Sequence, residues 1–191
     1  GSKLTNIFSS EFSVDCGDSK NKQRFQMTWT ENMSKKSKPK ITKYSQKSDY
    51  VEIKFKPDYE RFKMPKGLDS DIYALMQRRV YDIAGICQRS KKKLSVYLNG
   101  EKLDVKSFKD YISFFPVPEP VAFETVNDRW EIGVGISDGN PEHISFVNSV
   151  STSIGGTHVK YIEDQLTSHL MTSLQKKNKD LKITSSLIKN H

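Results

Sequence analysis

Residues 146–159, which read FVNSVSTSIGGTHV, constrain the fold more than any other part of the chain. A strand-like run there gives way to a polar stretch and to Gly155 and Gly156, after which apolar residues recur at helical spacing. Glycine takes positive φ or lets another group approach the backbone closely. The following helix would point unpaired N–H groups and its positive dipole end at the diglycine. The pattern predicts either a tight strand-to-helix turn without a ligand or an anion site.

Composition restricts the class of protein. The 191 residues suffice for one large or two small domains, and a hydrophobic content of 35% favours a folded globule. No apolar run approaches the ~20 residues that span a bilayer, so we expect no membrane insertion. Cys16 and Cys87 lie far apart without a metal-binding spacing, which indicates a reducing, intracellular compartment. A formal net charge of +8 favours a polyanionic partner.

The first half of the chain predicts an antiparallel sheet between two helices. The opening helix is expected at 3–10, and a long amphipathic helix begins near Asp69 or Ser70, with Gly85 placed to end it. Five lysines around Pro39 are typical of a solvated loop or an edge strand, although DNA contact is an alternative. Alternating apolar residues predict strands at 11–16, 23–30 and 51–56.

The second half predicts a smaller group of strands followed by a helix. Asn99 and Gly100 are a strong hairpin signal. The prolines after residue 115 interrupt regular structure, so we place a domain boundary there, with domains 1–115 and 116–191. The remaining elements are a short helix at 107–115, strands at 121–126, 129–137 and 143–149, an amphipathic helix at 158–175 and a strand at 183–188.

Seven segments in order carry a resemblance to a known family. The diglycine segment followed by KYIEDQL resembles the transducer signature of type IIA DNA topoisomerases, most closely the eukaryotic topoisomerase II form. GSKLTNIFSSEF resembles the end of the nucleotide-lid motif of the same ATPase. The other matching segments are FQMTWTENM, FKPDYERFKM, IYALMQRRVYDIAG and VYLNGEKL. Agreement in order over nearly the whole chain makes the resemblance specific.

The resemblance implies a fold and a function. The expected class is α+β: the C-terminal half of a GHKL ATPase sandwich (1–115), followed by a ribosomal-protein-like βαβ transducer (116–191). The parent protein would be a nuclear, homodimeric enzyme that uses ATP and Mg²⁺ to pass one DNA duplex through a break in another. The chain is expected to begin within the phosphate-gripping loop and to end before the switch lysine. Because the missing half of the ATPase domain would carry the magnesium and adenine ligands, we expect this chain alone to be inactive and to bind no nucleotide tightly.

The resemblance also implies roles for particular residues. Gly1, Ser2 and Lys3 would approach the nucleotide phosphates, although Gly1 and Ser2 are equally explained as a cloning remnant. Lys176, Lys177 and Lys179 would contact captured double-stranded DNA, or would be solvated lysines at a helix end. Val51 stands where the family commonly has a threonine beside the adenine. The residues of the transducer signature turn are Asn148, Gly155, Gly156 and Thr157.

Two rival functions remain from the sequence. The first is a basic, non-catalytic DNA-binding or scaffolding module that kept the fold without ATP chemistry. The second is an independent phosphotransfer enzyme that uses the diglycine turn as a phosphate site. No catalytic residue and no metal ligand set complete within the chain is identified, which disfavours the second.

Overall fold

The computed structural model describes residues 1–88, 94–177 and 182–191. The chain forms two compact units, Gly1–Tyr73 and Ala74–His191. This division precedes the boundary placed at residue 115, and the domains 1–115 and 116–191 stay a prediction. Among the described residues, no helix combines the length and apolar character that a membrane span requires.

The first unit is built on an antiparallel sheet of five strands. A short helix, α1 (Ser2–Ile7), ends earlier than predicted because Ser9 and Ser10 already belong to the first strand. The next two strands form the predicted hairpin, and the first strand lies between the second and the fifth. The third and fourth strands both pair with the outer side of the second. The strands are β1 (Ser9–Asp18), β2 (Gln23–Thr30), β3 (Lys35–Lys36), β4 (Lys40–Lys43) and β5 (Tyr50–Pro57).

Strand register gives this sheet one apolar face. Phe12 of β1 lies opposite Trp29 of β2 and Phe55 of β5, and side chains two residues apart share a face. Phe12 is buried and meets Trp29 edge-on, with ring centroids 6.0 Å apart. Towards the sheet edge the same face is open, because Val51 is 70% exposed. The residues of this apolar face are Phe12, Val14, Cys16, Phe25, Met27, Trp29, Ile41, Val51, Ile53 and Phe55.

The opposite face carries a charged cluster around Asp15. Arg24 donates to both carboxylate oxygens of Asp15, at 2.9 and 2.5 Å. Gln26 donates at 2.9 Å and the Tyr50 hydroxyl at 2.6 Å, so three side chains from two neighbouring strands converge on Asp15. The hydrogen bonds from Arg24 and Tyr50 hold the pKa of Asp15 well below its usual value.

We expect the Asp15 cluster to make the first unit sensitive to acid. A carboxyl group with a lowered pKa in the folded state stabilises the fold above its ordinary pKa, near 3.8. That contribution is lost as the pH falls further. Asp15→Asn should therefore be less stable than the parent chain at pH 7 and lose less stability between pH 5 and pH 3, as measured by urea denaturation. Equal pH dependence of the two proteins would contradict this assignment, and Glu52→Gln is a control on the same face.

The described part of the second unit contains two long helices and three two-stranded antiparallel sheets. Helix α2 (Ser70–Ile86) begins in the first unit and continues into the second. Asp69 accepts a hydrogen bond from the Ile72 amide, in the manner of an N-cap. The other elements are β6 (Tyr97–Leu98), β7 (Glu101–Lys102), α3 (Phe108–Ile112), β8 (Ala122–Asn127), β9 (Trp130–Val134), β10 (Phe146–Val147), β11 (Val150–Ser151), α4 (Thr157–Lys177) and α5 (Ser185–Lys189).

Tyr111 of α3 lies at the centre of the core of this unit. It is 2% exposed and packs with Ala84 and Val105. The prediction that Gly85 ends helix α2 is wrong, because the helix continues to Ile86 and Gly85 is buried inside it. The glycine is needed for space: an added Cβ would lie 2.5 Å from the Cβ of Tyr111. A glycine near a helix end therefore marks close packing here instead of a C-cap.

Two predicted strands are also corrected. The strand predicted at 143–149 is only Phe146–Val147, because the chain turns back at residue 148. The strand predicted at 183–188 is wrong, since Ser185–Lys189 is helical. Thr184 caps that helix by accepting a hydrogen bond from the Leu187 amide at 3.2 Å. Its last turn is held to α4 by Lys189, whose ammonium lies 3.0 Å from Glu163 and 3.0 Å from Asp164.

Gly85→Ala should destabilise the second unit. In an open helix the change would add helix propensity worth about 1 kcal/mol. Here the added methyl group would overlap Tyr111, and overpacking typically costs about 1–3 kcal/mol. The measurement is the free energy of unfolding in urea, with Gln77→Ala as a helical control. A Gly85→Ala variant as stable as the parent chain would contradict the close contact.

Candidate functional site

The signature segment contains a tight hairpin before the diglycine. Strands β10 and β11 pair through Phe146 with Ser151 and Val147 with Val150. Asn148 and Ser149 connect them with φ of 49° and 65°. A two-residue hairpin of type I′ requires positive φ at both central positions, and asparagine tolerates that conformation better than most residues. Asn148 therefore has a local conformational reason to be in this place.

The diglycine joins this hairpin to helix α4. Gly155 has φ of 80° and its amide donates to the carbonyl of Thr152 at 2.8 Å. Gly156 has φ of 152°, and its carbonyl accepts from the amides of Val159 and Lys160, both at 3.1 Å. Thr157 is the first residue of the helix and is exposed. Both glycines thus adopt backbone conformations that side chains disfavour.

A chain of side-chain hydrogen bonds closes the turn. The Thr152 hydroxyl lies 2.6 Å from the Ser145 hydroxyl and 3.1 Å from Nε2 of His158. The Thr152 amide also donates to the carbonyl of Ser145 at 2.8 Å. A Cβ added at Gly156 would lie 3.0 Å from the His158 ring. Close approach and backbone conformation together account for the two glycines in this turn.

The hairpin is tied to helix α2 by a polar network that extends from buried Tyr111 and Asp82 to the exposed Arg79. The Tyr111 hydroxyl donates to Asp82 at 2.6 Å, and Asp82 is only 4% exposed. Arg79 lies 3.5 Å from the other oxygen of Asp82 and donates to the carbonyl of Ser149. Cys87 adds a contact of 3.5 Å between its sulfur and the Ser149 hydroxyl. Burial and the bond to Asp82 raise the pKa of Tyr111 above its usual value.

Sequence analysis did not single out this network. Arg79 and Asp82 are three residues apart on one helix, a spacing that brings side chains together. That signal could have suggested the pair. Arg79 and Ser149 are 70 residues apart in the sequence, so no local sequence pattern predicts the hydrogen bond between them.

The residues predicted to approach a nucleotide lie at the beginning of the first unit. Gly1, Ser2 and Lys3 are all exposed. The Gly1 carbonyl accepts hydrogen bonds from the amide and the hydroxyl of Thr5, at 3.0 and 3.3 Å. Lys3 thus stands at the first turn of α1 with its side chain open to solvent.

The lysines predicted to contact DNA lie at the end of α4 in the second unit. Lys176 and Lys177 are exposed in its last turn, where the negative end of the helix dipole favours positive charge. Lys179 lies outside the described residues. Within the described ranges, no group of three or more His, Cys, Asp or Glu residues is arranged to hold a metal ion.

Comparison with known proteins gives the family. A sequence model of DNA gyrase B matches residues 91–191, more than half of the chain. The chain belongs to the DNA gyrase B family. Its sequence is 42% identical over 200 residues to DNA topoisomerase 2 of Arabidopsis thaliana, in a match that covers all of this chain. It spans only 13% of the length of that relative.

Solved structures of topoisomerase II ATPase regions are similar to this gyrase B family chain. The ATPase region of Saccharomyces cerevisiae topoisomerase II matches with a TM-score of 0.86 and 42% identity, over 98% of this chain and 47% of that one. The ATPase and transducer domains of DNA topoisomerase II from Balamuthia mandrillaris match with a TM-score of 0.88 and 44% identity, over 99% of this chain and 48% of that one. The predicted resemblance to eukaryotic topoisomerase II and the predicted α+β fold class are confirmed.

We expect Tyr111→Phe to lower the stability of the second unit of this gyrase B family chain. The substitution removes the hydroxyl that donates to buried Asp82, and hydrogen bonds to charged groups are worth about 1.5–3 kcal/mol. Urea denaturation of Tyr111→Phe, Arg79→Gln and the double variant would measure the coupling as a double-mutant cycle. If the two effects were strictly additive, Asp82 would not connect Tyr111 with Arg79. Tyr97→Phe, at an exposed tyrosine of β6, controls for the loss of a tyrosine hydroxyl elsewhere in the same unit.

Proposed function

We propose that this chain is part of the ATP-operated gate of a type II DNA topoisomerase. The parent protein would change DNA topology by passing one duplex through a transient double-strand break in another, with ATP hydrolysis. The observation that carries the proposal is the match of almost the whole chain to topoisomerase II ATPase regions at 41–44% identity. Closure of two copies around DNA would make the parent a homodimer, and we place it in the nucleus.

The first unit supplies one part of the nucleotide site in this proposal. Lys3 would approach the phosphates, and its exposed position leaves the ammonium free to do so. Val51 lies on the open apolar face, where it can contact an adenine ring but offers no hydroxyl. Loss of one hydrogen bond would weaken binding by about 0.5–1.5 kcal/mol without abolishing it. When bound, ATP with Mg²⁺ would supply the phosphoryl chemistry.

One feature of the first unit supports a covering segment from the rest of the ATPase domain. Ile53 and Phe55 are 46% and 47% exposed on the apolar face of the sheet. Contiguous exposed apolar surface is typical of a site that another segment or molecule covers. An additional segment would remove this apolar surface from water.

In this proposal the second unit passes the nucleotide state on and contacts DNA. The signature hairpin is fixed to α2 through Arg79 and Ser149, so movement of that helix would carry the hairpin with it. Lys176 and Lys177 would contact phosphates without reading sequence, together with Lys179. Such contacts suit an enzyme that must act on any duplex.

Calorimetry with a non-hydrolysable ATP analogue and Mg²⁺ tests the nucleotide proposal. The titration compares this chain with the same chain extended in both directions to a full ATPase and transducer region. We expect saturable binding by the extended form and weak or no binding by the 191-residue chain. In the extended form, Lys3→Gln should weaken binding at least tenfold, whereas Lys63→Gln, also exposed, should not.

Failure of the extended form to bind would contradict the gate proposal. Salt-sensitive binding to DNA without any effect of nucleotide would then favour the basic, non-catalytic DNA-binding module. Val51→Thr gives a further test, because it should strengthen nucleotide binding by the extended form if Val51 lies beside the adenine.

A further inference from the structure

One edge of the five-stranded sheet is a nearly continuous, extended strand. Lys35 and Lys36 pair with Thr30 and Trp29, and residues 40–43 pair with residues 26–23 of the same strand, β2. Between them, Ser37 remains attached, since its amide donates to the Thr28 carbonyl at 2.8 Å and its hydroxyl accepts from the Thr28 amide at 3.0 Å. At about 3.4 Å per residue, residues 35–43 extend over about 27 Å. Within the described chain, no further strand pairs with the outer side of this edge.

The charge of this edge has one sign. Lysines occupy positions 35, 36, 38, 40, 43 and 47, and residues 32–48 contain no aspartate or glutamate. All six lysines are exposed. Lys35 pairs with Glu31 at 2.6 Å, and the other five have no carboxylate partner in the part of the chain that the structure describes. Asp49, the nearest carboxylate that follows, is engaged by the amide and hydroxyl of Ser19, at 2.8 and 2.7 Å.

Protection against aggregation does not account for this distribution. Charged side chains on an edge strand discourage pairing with other chains. The opposite edge of the same sheet, β5, meets that need with mixed charges, because Lys54 lies 3.1 Å from Glu52. The edge at residues 35–47 has six lysines and no internal acid. Mutual repulsion between these lysines destabilises the fold unless an anionic partner is bound.

We propose that the lysine edge, residues 35–47, binds the phosphate backbone of duplex DNA. Lysines distributed over about 27 Å of one edge match a linear polyanion better than a compact phosphate ligand, which needs convergent donors. Duplex DNA carries one charge per about 1.7 Å of its axis. The exposed side chains of Thr42, Ser45 and Gln46 add neutral donors for phosphate oxygens. This surface belongs to the first unit, whereas Lys176 and Lys177 belong to the second.

Salt-dependent binding of a labelled 30-base-pair duplex tests the lysine edge. Fluorescence anisotropy is measured on the 191-residue chain between 50 and 200 mM salt. The edge variant carries Lys36→Gln, Lys38→Gln, Lys40→Gln and Lys43→Gln. The control variant carries Lys63→Gln, Lys66→Gln, Lys102→Gln and Lys109→Gln, four exposed lysines outside the edge. Each variant lowers the formal charge of +8 by four, to +4.

We expect the edge variant to bind at least tenfold more weakly and to show a shallower salt dependence. Each lost phosphate contact should reduce the slope of log K against log salt by about 0.9, so four contacts would reduce it by about 3.6. The control variant should keep most of the slope. Equal losses in the two variants, or no binding by the parent chain, would overturn the proposal. A Lys176→Gln, Lys177→Gln variant tests the other DNA surface separately, so failure of one assignment leaves the other standing.

Polyglutamate competition distinguishes DNA from an acidic protein segment. At equal charge concentration, we expect polyglutamate to displace the duplex much less effectively than unlabelled DNA does. Two results together would contradict the assignment to DNA: polyglutamate displaces the duplex as well as DNA does, and the edge variant loses affinity for polyglutamate as it does for DNA. The edge would then bind negative charge in general. Circular dichroism and thermal unfolding of each variant confirm that the comparison is made between folded proteins.

Discussion

The buried hydrogen bond between Tyr111 and Asp82 organises the second unit. Helix α2 can place Asp82 beside the tyrosine only because Gly85, one turn further on, has no side chain to collide with the ring. Asp82 in turn holds Arg79, which reaches the carbonyl of Ser149. A buried carboxylate needs hydrogen-bond partners, because burying a charge without them carries a large free-energy cost. The same residues that satisfy Asp82 therefore fix the position of the signature hairpin relative to α2.

The sheet of the first unit is stabilised by different interactions on its two faces. On one face, Phe12 packs against Trp29 in the middle of the sheet while the flanking residues stay open. On the other face, Asp15 draws side chains from β2 and β5 onto β1. The polar cluster connects β1, β2 and β5 without needing a covering layer. It can thus keep the sheet in register whether or not the apolar face is covered.

Much of the local structure could be predicted from sequence, because alternating apolar residues and helical spacing report which face is buried. The hairpin between β1 and β2, the strand at β5 and the long helices follow from that signal. The prediction for Gly85 is wrong because the sequence alone does not distinguish a glycine that ends a helix from a glycine that leaves space for a tyrosine. Apolar and polar residues alternate only weakly in residues 183–188. The hydrogen bond from the Leu187 amide to the Thr184 hydroxyl caps a helix there and competes with the strand pattern. In the signature segment, the positive φ at Gly155 was foreseeable, whereas the hydroxyl chain from Ser145 through Thr152 to His158 depends on the folded turn.

The geometry of the first unit also bears on whether nucleotide and DNA could be bound at once. Side chains of the edge strand alternate between the two faces of the sheet, as in any strand. A segment that covers Ile53 and Phe55 would leave Lys40 accessible, because Lys40 pairs with Gln26 and shares the opposite face with it. Lys36 and Lys43 share the side of the apolar face through their register with Trp29 and Gln23. Long lysine stems can bend away from such a layer while their ammonium groups stay in solvent. Covering the apolar face thus leaves the positive charge of the edge exposed.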